Sequence, residues 1–377
     1  MRSNKVARSR RDFLRSSAAT LAAGAFPAFP ASLFATNEKF ANNSFTNPGK
    51  PHRIILDTDP GVDDAIAIFL ALRSPELHVE ALTPVCGNVP LSLTLPNALR
   101  LVEIAGRTDI PVAAGAATPL VRRLVTAKYA HGNNGLGGVD FPEAKLKPVS
   151  ETATELIRRI VRANPGEISI VAIGPLTNVA TVLKSDPTVA PLIKSIIIMG
   201  GSFSGGNITP AAEFNFYVDP EAARIVFDSG VPLTMVGLDV TRKVIIRDEQ
   251  VRALEAAQNP VSQAAGKILR ANLDRLTKTG NANGFAMHDP LTVAQLIDPS
   301  VVTLKDFFVE IETTGELTAG QSLGYAHGPV RRSAPLETGL PPGDSPEPEF
   351  KPNAKVAIEV DPDKFFRLLL ARLTSAA

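Results

Sequence analysis

Eight residues, DTDPGVDD, hold four carboxylates: Asp57, Asp59, Asp63 and Asp64. No Lys or Arg stands between Arg53 and Arg73 to neutralise them. A helix dipole stabilises an acid in its first turn by only ~0.3–1 kcal/mol, which is little against mutual repulsion of several carboxylates in a crevice. A bound divalent cation is the simplest remedy. Hard oxygen donors with no Cys or His nearby suit calcium or magnesium better than zinc. The competing reading is an acidic helix cap on a solvated turn.

Two further groups carry chemistry. Glu213 and Asn215, in TPAAEFNFYVDP, lie two residues apart and face alike if the segment is extended. With Asn207 just upstream they offer the acceptors and donors that vicinal hydroxyls need; turn-capping by Asn beside a solvated Glu is the alternative. In His288-Asp289-Pro290 the imidazole has a pKa near neutrality and can protonate a leaving group. Asp289 can join the metal site, or act simply as an N-cap before a Pro at the first helical position. His131, in HGNNGLGG, reads equally as part of a lid or of a surface turn.

The elements that must position these groups are legible in outline. Ile54-Ile55-Leu56 reads as a strand, Pro60-Gly61 breaks it, and Val62, Ile66, Phe69 and Leu70 have the spacing of an amphipathic helix. Strands are predicted over residues 77–85, 111–114, 168–173, 195–199 and 233–238, with helices over 92–105, 151–163 and 219–227 and another running from the turn at 174–178 through Leu183. A more helical, charged region spans 241–285. Residues 341–352 form a Pro-rich loop, and 354–373 close as strand and helix. This alternation predicts an α/β fold with an open, mostly parallel, doubly wound sheet of Rossmann-like topology, in a single catalytic domain. Ligands of such sheets bind at the carboxyl ends of the strands. Asp59, Asn88, Asn178 and Gly200-Gly201 are therefore expected on one rim. No glycine turn has the spacing of a dinucleotide or P-loop fingerprint.

Composition bounds the function. A chain of 377 residues, 44% hydrophobic and 20% charged, buries a large core. Its 39 basic and 38 acidic side chains leave a net charge of +1, which gives no sign of a nucleic-acid or anionic-surface partner. Cys86 is the sole cysteine, excluding an internal disulfide and a cysteine metal site. Residues 1–35 carry Ser9-Arg10-Arg11-Asp12-Phe13-Leu14 and an Ala-rich stretch broken by Pro27 and Pro30, too interrupted for a membrane anchor. They resemble a twin-arginine signal peptide, implying export to the periplasm or outside the cell. Residues 36–52 read as a linker and 53–377 as the catalytic domain.

DTDPGVDD, VCGN, GPLTN, IIMGG, AEFN and HDP occur in the order found in the inosine–uridine-preferring nucleoside hydrolases, which residues 53–297 resemble. The resemblance implies hydrolysis of a ribonucleoside N-glycosidic bond to ribose and free base, with Ca2+ at the strand ends. By motif position Asp59, Asp64, Asp289 and the backbone carbonyl of Ile173 are the implied calcium ligands, with Asp59 taking a proton from the calcium-bound water. Asp63, Asn88, Met199, Asn207, Glu213 and Asn215 are the implied ribose-binding set. His288 stands where family members carry the acid for a purine leaving group. A homo-oligomer, dimer or tetramer, is implied as well. Adjacent helical residues point ~100° apart, which fits Asp63 on the sugar and Asp64 on the ion.

The sequence departs from the family at GQSLGYAHG, where Gly-x-Thr is common, and in lacking a Tyr within 267–287, where Phe285 is the candidate substitute. Two alternatives stand beside this reading. A haloacid dehalogenase-type phosphohydrolase also has Asp-x-Asp after its first strand, but Pro60-Gly61 argues against it. A periplasmic ribose- or nucleoside-binding protein would have two similar lobes, whereas one is read here.

Overall fold

A computed structural model describes residues 50–280, 283–325 and 351–376. The twin-arginine segment, residues 36–49 of the linker, Pro-rich residues 341–350 and the end of GQSLGYAHG lie outside the described residues.

Strand β1 (His52–Thr58) runs through Pro60-Gly61 into α1 (Val62–Leu72). β2 (Leu77–Pro84), α2 (Leu91–Ile104), the one-turn α3 (Lys128–His131) and α4 (Ala153–Ala163) follow. Next come β3 (Ile168–Ala172), α5 (Thr177–Ser185), β4 (Ser195–Met199), α6 (Phe214–Val218), α7 (Pro220–Phe227), β5 (Leu233–Val236) and α8 (Leu238–Thr241). A small β6 (Ile245–Ile246) precedes α9 (Asp248–Ala256), α10 (Pro260–Lys278), β7 (Phe285–Ala286) and α11 (His288–Ile297). β8 (Val302–Ile311), β9 (Ser322–Tyr325), β10 (Ala354–Val360) and α12 (Pro362–Thr374) complete the domain.

The main sheet has the order β2-β1-β3-β4-β5-β10-β8-β9, parallel from β2 to β10 and antiparallel at β8 and β9. On β1, Ile54 and Leu56 enter one core while Ile55 enters the other. Both faces are covered, so the strand is apolar throughout rather than alternating. This is the doubly wound sheet that the sequence predicts. Four local readings change. β8 and β9 were not anticipated. Residues 111–114 form only an isolated bridge, Val112 to Leu82. The strand expected to reach Leu238 stops at Val236, and α8 begins at Leu238 after Gly237. Finally, α1 is buried on every side rather than amphipathic, because α11, α10 and α2 enclose what the sheet leaves open. Asp63 and Asp64 are buried with it.

Asp-Pro pairs start several helices. Asp219, Asp298 and Asp361 each accept a backbone N–H of the turn that follows. Asp289-Pro290 does not follow them: α11 begins at His288, and Met287 at its N-cap makes no side-chain bond. Asp289 is therefore in the first turn and not a cap, which resolves the two readings of that residue.

The strand-end rim also contains a purely structural joint. Asn178 donates to Oδ2 of Asp57 (2.8 Å) and to the carbonyl of Thr83 (3.2 Å), and accepts from the N–H of Ala116 (2.8 Å). Thr83 donates to the same Asp57 oxygen at 2.6 Å. Asn178 thus faces the Asp57 carboxyl and not the site. Burial pushes that carboxyl up to about 7, against the two hydrogen bonds. Asn178→Ala leaves these buried groups short of partners, which is expected to lower stability by about 3 kcal/mol. Asp57 gains its charge only as pH rises through about 7. The loss in urea denaturation should therefore be larger at about pH 8 than at about pH 5.

Candidate active site

The carboxyl ends of β1, β3 and β4 and the starts of α1, α6 and α11 surround a cavity of about 300 Å³. Asp63 and Asp289 line it; Asp59 and Asp64 lie beneath, fully buried. The Asp64 carboxylate is held from four directions. Its Oδ1 accepts from Thr58 Oγ1 (2.6 Å) and the N–H of Asp59 (3.1 Å). Its Oδ2 accepts from the N–H of Gly61 (2.9 Å) and Asn88 Nδ2 (2.8 Å). The helix-cap reading is thus partly true of Asp64, but the cap is dry and not solvated.

Asp59 is different. Its Oδ2 accepts from the N–H of Asn88 at 2.7 Å, while Oδ1 is buried without a partner. Gly87 and Gly174 make room for it: a Cβ on Gly87 would overlap Oδ2, and one on Gly174 would sit 2.6 Å from Oδ1. These glycines in VCGN and GPLTN let two neighbouring turns close on one carboxylate.

Burial raises the pKa of all four acids around this point. For Asp59 the charge of Asp64 adds to it, and for Asp64 the charge of Asp63. For Asp289 the charges of Asp63, Asp64 and Asp59 all add. For Asp63 the nearby His288 opposes it. Carboxyl oxygens of Asp63, Asp64 and Asp289 lie within 4.8 Å of one another. That is inside the roughly 5 Å span of two oxygens each about 2.3–2.6 Å from one calcium ion. Hard donors, crowded like charges and an orphaned Asp59 oxygen fit a divalent cation that neutralises the cluster. Ile173 lines the same cavity, and its carbonyl accepts from Asn215 Nδ2 at 3.2 Å.

The opposite wall is polar in a different way. Glu213 is the N-cap of α6, so the extended conformation expected for residues 213–215 is replaced by a helix start. Its Oε1 accepts from the N–H of Asn215 (2.9 Å), and Oε2 from those of Gly201 and Phe216 (3.1 Å each). Burial nonetheless pushes Glu213 up to about 7. Asn215 also donates to the carbonyl of Met199 at 3.1 Å, and Asn207 Oδ1 accepts from the N–H of Phe214 at 2.9 Å. Asp63, Asn88, Met199, Asn207, Glu213 and Asn215 all line the one cavity. Ser322, in the divergent GQSLGYAHG segment, bonds both backbone groups of Ser202 and so braces the turn after β4.

Two imidazoles complete the cavity. His288 Nδ1 lies 2.7 Å from Thr241 Oγ1. His131 is the residue that sequence reasoning left undecided. Its Nδ1 accepts from the N–H of Val62 at 3.0 Å, so a neutral ring carries its proton on Nε2. Burial holds His131 down at about 4, so the 3.8 Å approach of Nδ1 to Asp63 is not an ion pair near neutral pH. Burial likewise lowers His288. Phe285 lines the cavity, as does Tyr129 from α3. Tyr129, Thr241, Asn272 and Arg275 had no local signal.

The chain matches the family described as inosine-uridine preferring nucleoside hydrolase over residues 54–367. It is 43% identical over 321 residues to the pyrimidine-specific ribonucleoside hydrolase RihA of Citrobacter koseri, covering 85% of this chain and 97% of that one. A plant nucleoside hydrolase structure aligns with a TM-score of 0.77 at 36% identity, over 87% of this chain and 100% of that chain. A purine-preferring ribonucleoside hydrolase from Gardnerella vaginalis aligns at 0.75 and 29%, over 85% and 98%.

The cradle around Asp59 can be tested directly. Gly87→Ala is expected to weaken divalent-cation binding at least about tenfold in titration calorimetry, as loss of support around a metal site does, with the circular dichroism spectrum unchanged.

Proposed function

The chain belongs to the inosine-uridine preferring nucleoside hydrolase family and hydrolyses the N-glycosidic bond of ribonucleosides, and we propose that it is a calcium-dependent enzyme preferring pyrimidine ribonucleosides. Neither the phosphohydrolase nor the binding-protein alternative is favoured. The observation that carries the reading is the buried acid cluster: carboxyl oxygens of Asp63, Asp64 and Asp289 gather within 4.8 Å of one another, with Asp59 buried beneath the cavity that Asp63 and Asp289 line together with Glu213, Asn215 and two imidazoles.

A calcium ion held by Asp59, Asp64, Asp289 and the Ile173 carbonyl would supply positive charge that acidifies an attacking water and gathers it with the ribose hydroxyls. Asp59 Oδ1, which has no protein partner, accepts the proton of that water. The hydroxyl oxygen bonds to C1′ while the C1′–N bond breaks and its electron pair leaves with the base. Asp63 and Asn88 on one wall and Met199, Asn207, Glu213 and Asn215 on the other hold the ribose. The buried carboxylates favour the oxocarbenium-like charge that develops on it. His288 serves the departing base as acid, and His131 offers Nε2–H to a base carbonyl.

Pyrimidine preference rests on the similarity to RihA. The twin-arginine pattern supports export to the periplasm or beyond, where the enzyme would salvage external nucleosides.

Incubation with uridine, cytidine and inosine, with and without a calcium chelator, tests the reading through release of reducing sugar. Sugar from the pyrimidine nucleosides should exceed that from inosine, and should stop with chelator. Absence of sugar from all three would sink the hydrolase reading, and an inosine rate equal to the uridine rate the preference. Asp59→Asn is expected to lower kcat by about 10²–10⁴, the usual worth of a positioned general base.

A further inference from the structure

His131 stands at the end of α3, a single turn of four residues with no side-chain cap. A helix that short does not hold itself together, and its last carbonyls have no partner within it. The carbonyls of Tyr129 and Ala130 are met from α10. Arg275 Nη1 donates to Tyr129 at 2.7 Å and Nη2 to Ala130 at 2.5 Å. Nη2 also donates to Asn272 Oδ1 at 2.6 Å, which fixes the guanidinium against its own helix. One planar fork thus spans two carbonyls of the turn and one amide of the helix, a geometry a lysine ammonium does not reproduce. The turn is also tied to its surroundings by the Val62 N–H, which donates to His131 Nδ1 (3.0 Å), and by backbone bonds from Ala127 to the carbonyl of Asn88 (3.0 Å) and from Gly137 to that of His131 (2.8 Å).

We propose that Arg275 is a positioning residue for the leaving base: it clasps α3 to α10 and so holds His131 against the start of α1, with Nε2–H presented to the nucleobase. This rests on the nucleoside hydrolase reading. Asp63 and Asn88 adjoin the turn, through the 3.8 Å approach of His131 Nδ1 to Asp63 and the Ala127 bond to Asn88, but Arg275 itself bonds neither, so the clasp governs departure of the base more than binding of the sugar. A substrate whose leaving group needs no hydrogen bond or proton should be much less sensitive to it.

The test compares calcium-loaded wild type with Arg275→Met and Arg275→Lys on uridine and on 4-nitrophenyl β-D-ribofuranoside, which releases a stable phenolate. Arg275→Met is expected to lower kcat for uridine about a hundredfold, the scale of a misplaced reacting group. The loss on the nitrophenyl riboside should be at least about tenfold smaller. Arg275→Lys should recover part of the uridine activity. In a His131→Ala background, Arg275→Met should add little, because the two act through one contact. Equal losses on both substrates, or full additivity with His131→Ala, would overturn the clasp. If the Met variant fails to fold on thermal melting, Arg275→Lys alone and with His131→Ala decides by the same two criteria. No product from wild type on either substrate would remove the hydrolase reading, and the clasp with it.

Discussion

The arrangement of this protein follows from the repulsion among acids that α1 carries into the interior. A helix enclosed on all sides cannot turn Asp63 and Asp64 toward water, and β1 brings Asp59 to the same point. Taking charge out of water costs several kcal/mol per ion unless it is compensated. The compensation here is built from neighbouring turns. Asp64 is oriented by hydrogen bonds from Thr58, Asp59, Gly61 and Asn88, while Asp59 keeps one oxygen without a protein partner where Gly87 and Gly174 leave space. A cation completes the balance. A site of this kind binds its ion tightly because the alternative is crowded like charge.

Supporting groups divide according to which acid they serve. Asn88 reaches both Asp59 and Asp64 and forms the floor of the cavity. Asn178 lies on the same rim but turns to Asp57, joining β1 to β2 well away from the ribose wall. Glu213 spends its carboxylate on three backbone N–H groups of its own helix start and the turn after β4. That anchoring braces this wall of the cavity although it is made of loops and short helices. Preorganisation of this kind is what differential binding of a transition state requires.

The base side is assembled from parts distant along the chain. His288 begins α11, Thr241 ends α8, and α3 leans on α10 through Arg275.

Local chemistry was enough to find the acid cluster and the parallel sheet. Asp-Pro-Gly after an aliphatic run is a strand end wherever it falls, and apolar strands between helices have few ways to pack. The order of DTDPGVDD, VCGN, GPLTN, IIMGG, AEFN and HDP likewise needed no coordinates. What only the tertiary structure decided depends on contacts across long stretches of chain. The sequence cannot distinguish Asp289 from the capping Asp219, Asp298 and Asp361, because all four precede proline and only packing turns Asp289 inward. Asn178 meets Asp57 from 121 residues away, and Arg275 meets Tyr129 from 146. His131 was undecided for the same reason: its partner, the N–H of Val62, is a backbone group common to any sequence. Its place in the site was set by the fold that brought α3 against α1.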